Sequence, residues 1–258
     1  MTAGTSRTTL CWLTALALVL GSAALMAARD RVTSGPAAEA FRVCSPSALP
    51  PPERELAGFL LLMPVAALVV AAARNLIGLG SFGTFTPALL GLAFRDGGAA
   101  VGLAVLAAAL FTGWRARHVL QRFHLLQVPR SAVLLTCVVC VLLGALFLAG
   151  RAGLSPGRSL SLLPLVILTG MVERFWTLEE EDGAGPALRT LVGTLLIAAA
   201  VALVARAPAL GRLLMGYPEA LGVLLAAQML LGRYTGYRLL ELYRFRELGD
   251  EPEPPGDV

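Results

Sequence analysis

The stretch Arg74-Asn-Leu-Ile-Gly-Leu-Gly-Ser-Phe-Gly-Thr-Phe-Thr-Pro-Ala-Leu-Leu-Gly-Leu-Ala-Phe-Arg95 decides how this chain is read. It is apolar enough for a membrane interior, yet Gly78, Gly80, Gly83 and Pro87 break it. The apolar part, residues 82–94, would rise only about 20 Å as a helix, short of the roughly 30 Å hydrocarbon core. Irregular backbone at membrane depth survives only where protein or a water-filled cavity satisfies its polar groups. Two readings follow. Either the break sits inside a helical bundle, re-entrant or at its mouth, or an ordinary loop precedes a short tilted helix.

On both sides the chain supports a bundle. Seven further apolar runs cover residues 10–28, 56–73, 98–114, 131–149, 160–176, 188–205 and 217–232. With 82–94 they make an N-terminal anchor and a block of seven. Over the 258 residues, 57 % are hydrophobic and 15 % charged, and mean hydropathy is +0.74. Globular chains run nearer about 25 % charged, so a soluble enzyme, a disordered chain and a disulfide-stapled domain are excluded. The fold class is all-α, a polytopic membrane helix bundle. The expected organisation is an anchor at 1–28, a non-cytoplasmic linker at 29–55, a seven-helix domain at 56–247 and an acidic tail at 248–258. Residues 10–28 also suit a signal peptide, with small residues from Ser22 to Ala28 for cleavage.

All 21 basic residues are arginine, and the net charge is +4. The arginines flank apolar segments instead of gathering on one soluble face, which disfavours nucleic-acid binding. The loop around 115–130 (Arg115, Arg117, Arg122, Arg130) and the tail (Arg233, Arg238, Arg244, Arg246) carry four each. An even helix count puts both on one side, and the positive-inside rule makes that side, with both termini, cytoplasmic. The expected membrane is the bacterial inner membrane.

Candidate polar residues follow from cost. Glu173 lies within the apolar run 160–176, and a charge at membrane depth calls for a partner. Arg74 and Arg233 flank helix ends on the same side, with Asn75, Thr84 and Tyr234 able to complete a cluster. Alternatively, Arg74 snorkels to lipid phosphates and Asn75 caps its helix. Arg174 points about 100° away from Glu173 around the helix and is a poor partner for it. The tail residues Arg238, Glu241, Arg244 and Arg246 read as an amphipathic helix, lying on anionic headgroups or docking a soluble partner. Glu179 to Asp182 reads as a solvated turn. Pro218 and Glu219 suit the first turn of the last helix. Cys137 and Cys140 have CxxC spacing but sit in an apolar run without further ligands. His118 and His124 lack a zinc spacing. No metal site, cofactor site or catalytic set can be named.

The run from Arg74 to Arg95, Leu125-Leu-Gln-Val-Pro-Arg-Ser-Ala-Val-Leu-Leu135, Ser161 to Phe175, Tyr217-Pro-Glu219 and Leu230 to Glu247 occur in the order of a known family. They resemble the membrane domain of bacterial proteins described as an inactive transglutaminase fused to seven transmembrane helices. The resemblance covers roughly residues 55–247, and the glycine-rich opening and Gly232-Arg-Tyr-Thr-Gly-Tyr-Arg238 are its specific parts. Family members usually carry a folded transglutaminase-like domain between the first helix and the seven-helix block, where this chain has only residues 29–55. The resemblance implies association with ATP-grasp ligase-like and aspartic-protease-like proteins. It therefore implies a non-enzymatic membrane scaffold or docking subunit of an amino-acid or peptide ligation system. The alternative is a small-molecule or peptide conduit lined by the 78–87 break.

Overall fold

The computed structural model describes residues 2–32, 45–97, 99–120, 127–151 and 162–233. Every regular element among them is helical: α1 (Thr2–Arg31), α2 (Pro51–Ala72), α3 (Phe85–Gly97), α4 (Ala99–Leu120), α5 (Gln127–Arg151), α6 (Leu162–Asp182), α7 (Ala184–Ala205), α8 (Pro208–Gly216) and α9 (Ala220–Gly232). Among the described residues, α1, α2 with its extension, and α7 are long and apolar enough to cross a membrane. The α8–α9 pair, bent by 113°, makes a fourth candidate.

Local chemistry sets the helix limits. Pro51 opens α2 where its missing N–H costs nothing, with Glu53 in the positive first turn. Pro64 interrupts the ladder inside α2, and Gln228 of α9 donates to its carbonyl at 2.9 Å, tying the two helices together. α2 ends in a π turn, Ala73–Ile77, closed by Gly78 at φ 92°. The N–H groups of Gly78 and Leu79 both donate to the Ala73 carbonyl.

α3 packs most extensively against α7. The contact is close because it uses small residues: a Cβ on Gly91 would stand 2.6 Å from the Ala198 carbonyl. This pair forms the spine of the bundle. Leu90, Phe94, Ala198 and Ala202 face one core shared with α4, α5 and α6. Ala88, Leu92, Ile197 and Val201 face a second core, completed by α2, α8 and α9. Pro87 is fully buried in the first turns of α3.

Two sets of contacts define the ends. At one end Asn75 donates to the Leu231 carbonyl at 3.4 Å, and Arg74 lines a cavity with Glu181. At the other, Arg206 donates to the Phe94 carbonyl at 3.0 Å, and Arg29 pairs with Glu219 at 3.1 Å. The first is called here the break end and the second the clasp end.

The last apolar run, expected as one segment over 217–232, starts in a turn. Tyr217 to Glu219 separate α8 from α9, and α9 has only 13 residues. Glu219 makes no capping hydrogen bond to its own helix. It stands at the N-cap of α9, at the expected helix start, and its carboxylate also binds Arg29. α1 lies along α9. Its Ala15 and Ser22 are buried, while Trp12, Leu13, Leu16 and Leu20 are exposed on the opposite face.

Candidate functional site: a polar vestibule beside the glycine break

The break from Gly78 to Thr84 is built into the bundle. The Phe82 N–H donates to Thr194 Oγ1 at 3.0 Å, and that hydroxyl in turn donates to the Thr190 carbonyl. A Cβ on Gly193 would overlap the Gly80 carbonyl oxygen, so the chain rests directly on the backbone of α7. Gly193 is the tenth residue of α7, which sets this contact about 14 Å along the helix axis. The break therefore lies at depth, packed against a spanning helix. The break is packed against α7, and the 13-residue helix α3 follows it. The ring of Phe82 is buried, with Phe175 edge-on at 6.4 Å and Trp176 edge-on to Phe175 at 5.1 Å.

Above this aromatic plug opens a cavity of about 790 Å³. On α6 it is lined by Gly170, Glu173, Arg174, Thr177, Leu178 and Glu181, a stripe at three- and four-residue spacing. Arg74, the turn from Gly80 to Gly83, and Thr190 supply the remaining walls. The Gly170–Glu181 face of the cavity runs about 16 Å along α6.

Arg74 and Glu173 thus meet in one cavity, but neither is buried. Glu173 is exposed, so the expected burial of the charge cluster is not found. The vestibule lining includes neither Arg233, at the end of α9, nor Thr84, exposed in the turn before α3. Asn75 is half-buried on the π turn and joins α9 through Leu231. Tyr234, Arg238, Glu241, Arg244 and Arg246 lie outside the described residues.

Arg174 is the residue that sequence reasoning set aside. Its guanidinium lies over the Ser81–Gly83 turn, with Nη1 2.7 Å from where a Gly83 Cβ would stand. The turn is stitched locally: the Gly83 N–H donates to the Ser81 carbonyl at 2.8 Å, and Ser81 Oγ donates to the Gly83 carbonyl at 2.9 Å. The obstacle to a side chain at Gly83 is movable, and the firm constraint is φ 72°. The polar spacing Gly170, Glu173, Thr177, Glu181 was the signal that could have revealed this wall. It was obscured because Glu179 to Asp182 read as a turn, whereas α6 continues through Asp182.

At the clasp end a second cavity of about 710 Å³ is lined by Arg54, Glu55, Phe59, Arg95 and Met215. Between the two cavities lie the apolar side chains of both cores. An all-helical chain with apolar spans, a packed backbone break and a polar vestibule open at one end defines a helical integral-membrane domain. The chain belongs to the family described as 7 transmembrane helices usually fused to an inactive transglutaminase, whose model matches residues 19–249. No curated protein and no solved structure matches the chain.

Proposed function

We propose that the protein is a non-enzymatic scaffold of the bacterial inner membrane, with both termini cytoplasmic. Its vestibule docks a cytoplasmic partner of an amino-acid or peptide ligation system, of the ATP-grasp type that the family resemblance implies. One observation carries the reading. At the break end one cavity gathers Arg74, Glu173, Arg174, Thr177 and Glu181, and its wall includes Phe82, which packs with Phe175 and Trp176 into the apolar core. Such a shape suits a segment of a partner. Arg74 and Arg174 stand with Glu173 and Glu181 around the opening. Mixed charge of this kind selects a complementary surface and fixes its register more than it adds affinity.

Co-purification tests this. A tagged chain co-expressed with an ATP-grasp ligase-like protein of the same bacterium should retain that protein through mild detergent extraction. Charge reversal at exposed Arg174 (R174E) and Arg74 (R74E) should release it while the membrane domain keeps its melting temperature. A photo-crosslinker at Thr177 should join the two. Retention undiminished by both reversals would overturn the docking role, and solute uptake by reconstituted vesicles would favour the conduit. For orientation, an impermeant thiol reagent on intact cells should leave a cysteine placed at Thr177 unlabelled.

A further inference from the structure

The break has a second side, away from the vestibule. There it forms with α7 a groove of about 420 Å³, lined by Gly78, Leu79 and Gly80 and by Leu188, Arg189, Val192, Gly193 and Leu196 of α7. We propose that this groove holds one anionic phospholipid from the bilayer, its phosphate on Arg189 and one acyl chain along Leu188, Val192 and Leu196.

Three features support this occupant. The groove lies on a helix long and apolar enough to cross the membrane, so lipid is what it meets. Leu188, Val192 and Leu196 stand at four-residue spacing on one face and are 56 %, 47 % and 54 % exposed. They give an apolar track about 12 Å long, on the scale of half an acyl chain. The groove is a furrow because Gly80 and Gly193 meet without side chains. Finally, Arg189 is exposed in the second turn of α7, about one turn from Gly193 toward the N-terminus of the helix. Among the described residues it has no ion-pair partner. Its planar guanidinium matches a phosphate bidentately. A positive charge at the headgroup end of an apolar track complements an anionic lipid and discriminates against one with a compensating cation.

The test is native mass spectrometry of the full chain in mild detergent, titrated with phosphatidylglycerol or phosphatidylcholine. Wild type should bind one phosphatidylglycerol in preference to phosphatidylcholine. R189Q should weaken that binding about tenfold, the loss expected for one charge-assisted contact. Val192→Trp fills the furrow from an exposed position and should abolish the bound lipid. Leu203→Trp, on the same helix but outside the groove and 74 % exposed, should leave it unchanged. Equal binding of the two lipids, or wild-type binding in R189Q, would overturn the proposal. R189Q decides the matter alone if Val192→Trp lowers the melting temperature.

Discussion

The two ends of the molecule hold their chain segments by opposite means. At the break end, backbone lies on backbone: Gly80 against Gly193, with Thr194 accepting the Phe82 N–H in a fully buried setting. At the clasp end, side chains do the holding. Arg29 reaches both carboxylate oxygens of Glu219, at 3.1 and 3.2 Å, and lies 5.7 Å from the Tyr217 ring centre. Tyr217 donates its hydroxyl to Asp30 at 2.7 Å. Both arrangements fix a segment that a bundle of plain helices could not place. The first has no slack, because backbone cannot turn aside. The second is adjustable, because water can replace each partner.

That contrast sets the order of expected effects. The largest belongs to Gly193. Even Gly193→Ala puts a Cβ into the Gly80 carbonyl and should cost about 1–3 kcal/mol in detergent melting, and Gly193→Leu should prevent accumulation of folded protein. A near-normal melting curve for Gly193→Leu would mean that the break does not rest on α7. Next comes Thr194→Val, similar in shape but without the acceptor. The Phe82 N–H is then buried without its partner, at about 1–3 kcal/mol. Gly83→Ala should cost about 1 kcal/mol, from the left-handed backbone alone, because the Arg174 guanidinium can move aside. A cost matching that of Gly193→Ala would show that Arg174 is not free to yield.

The clasp should respond more weakly. Its ion pair is partly exposed, with side chains 15 % and 14 % accessible, so R29Q or E219Q should lose about 1 kcal/mol. A double-mutant cycle separates the pair from the packing of Ser22 against Gly222. The smallest effect is one of pH. The hydrogen bond to the Asp30 carboxylate and its negative charge raise the Tyr217 phenol above its ordinary value. A group whose folded value is raised contributes stability fully below its unfolded value and loses it as pH rises through the folded one. The Tyr217–Asp30 hydrogen bond should therefore be lost in the alkaline range, and D30N should return the Tyr217 ultraviolet titration toward that of free tyrosine. An unchanged titration in D30N would remove the hydrogen bond from the account.

Much of this architecture is legible from residue order. The apolar runs place the helices, Gly78, Gly80 and Gly83 mark a break whose backbone groups need partners, and Arg74 and Glu173 are flagged by the cost of charge. Arg174 was not legible, because its reach depends on a turn contributed by another segment. The clasp was hidden in the same way: Pro218 and Glu219 fit a helix start by every local rule, and only the approach of α1 makes Glu219 the partner of Arg29.

Composition and hydropathic period alone determined a helical membrane domain, because a chain in lipid must satisfy its backbone within each segment. Tertiary structure alone decided that the break rests on Gly193, that Arg74 and Glu173 line one cavity, and that the N-terminal helix is held at Tyr217 and Glu219. Local sequence sets the cost of exposing a backbone group or a charge. Which neighbour relieves that cost depends on contacts more than 100 residues apart, such as Phe82 with Thr194 and Arg29 with Glu219.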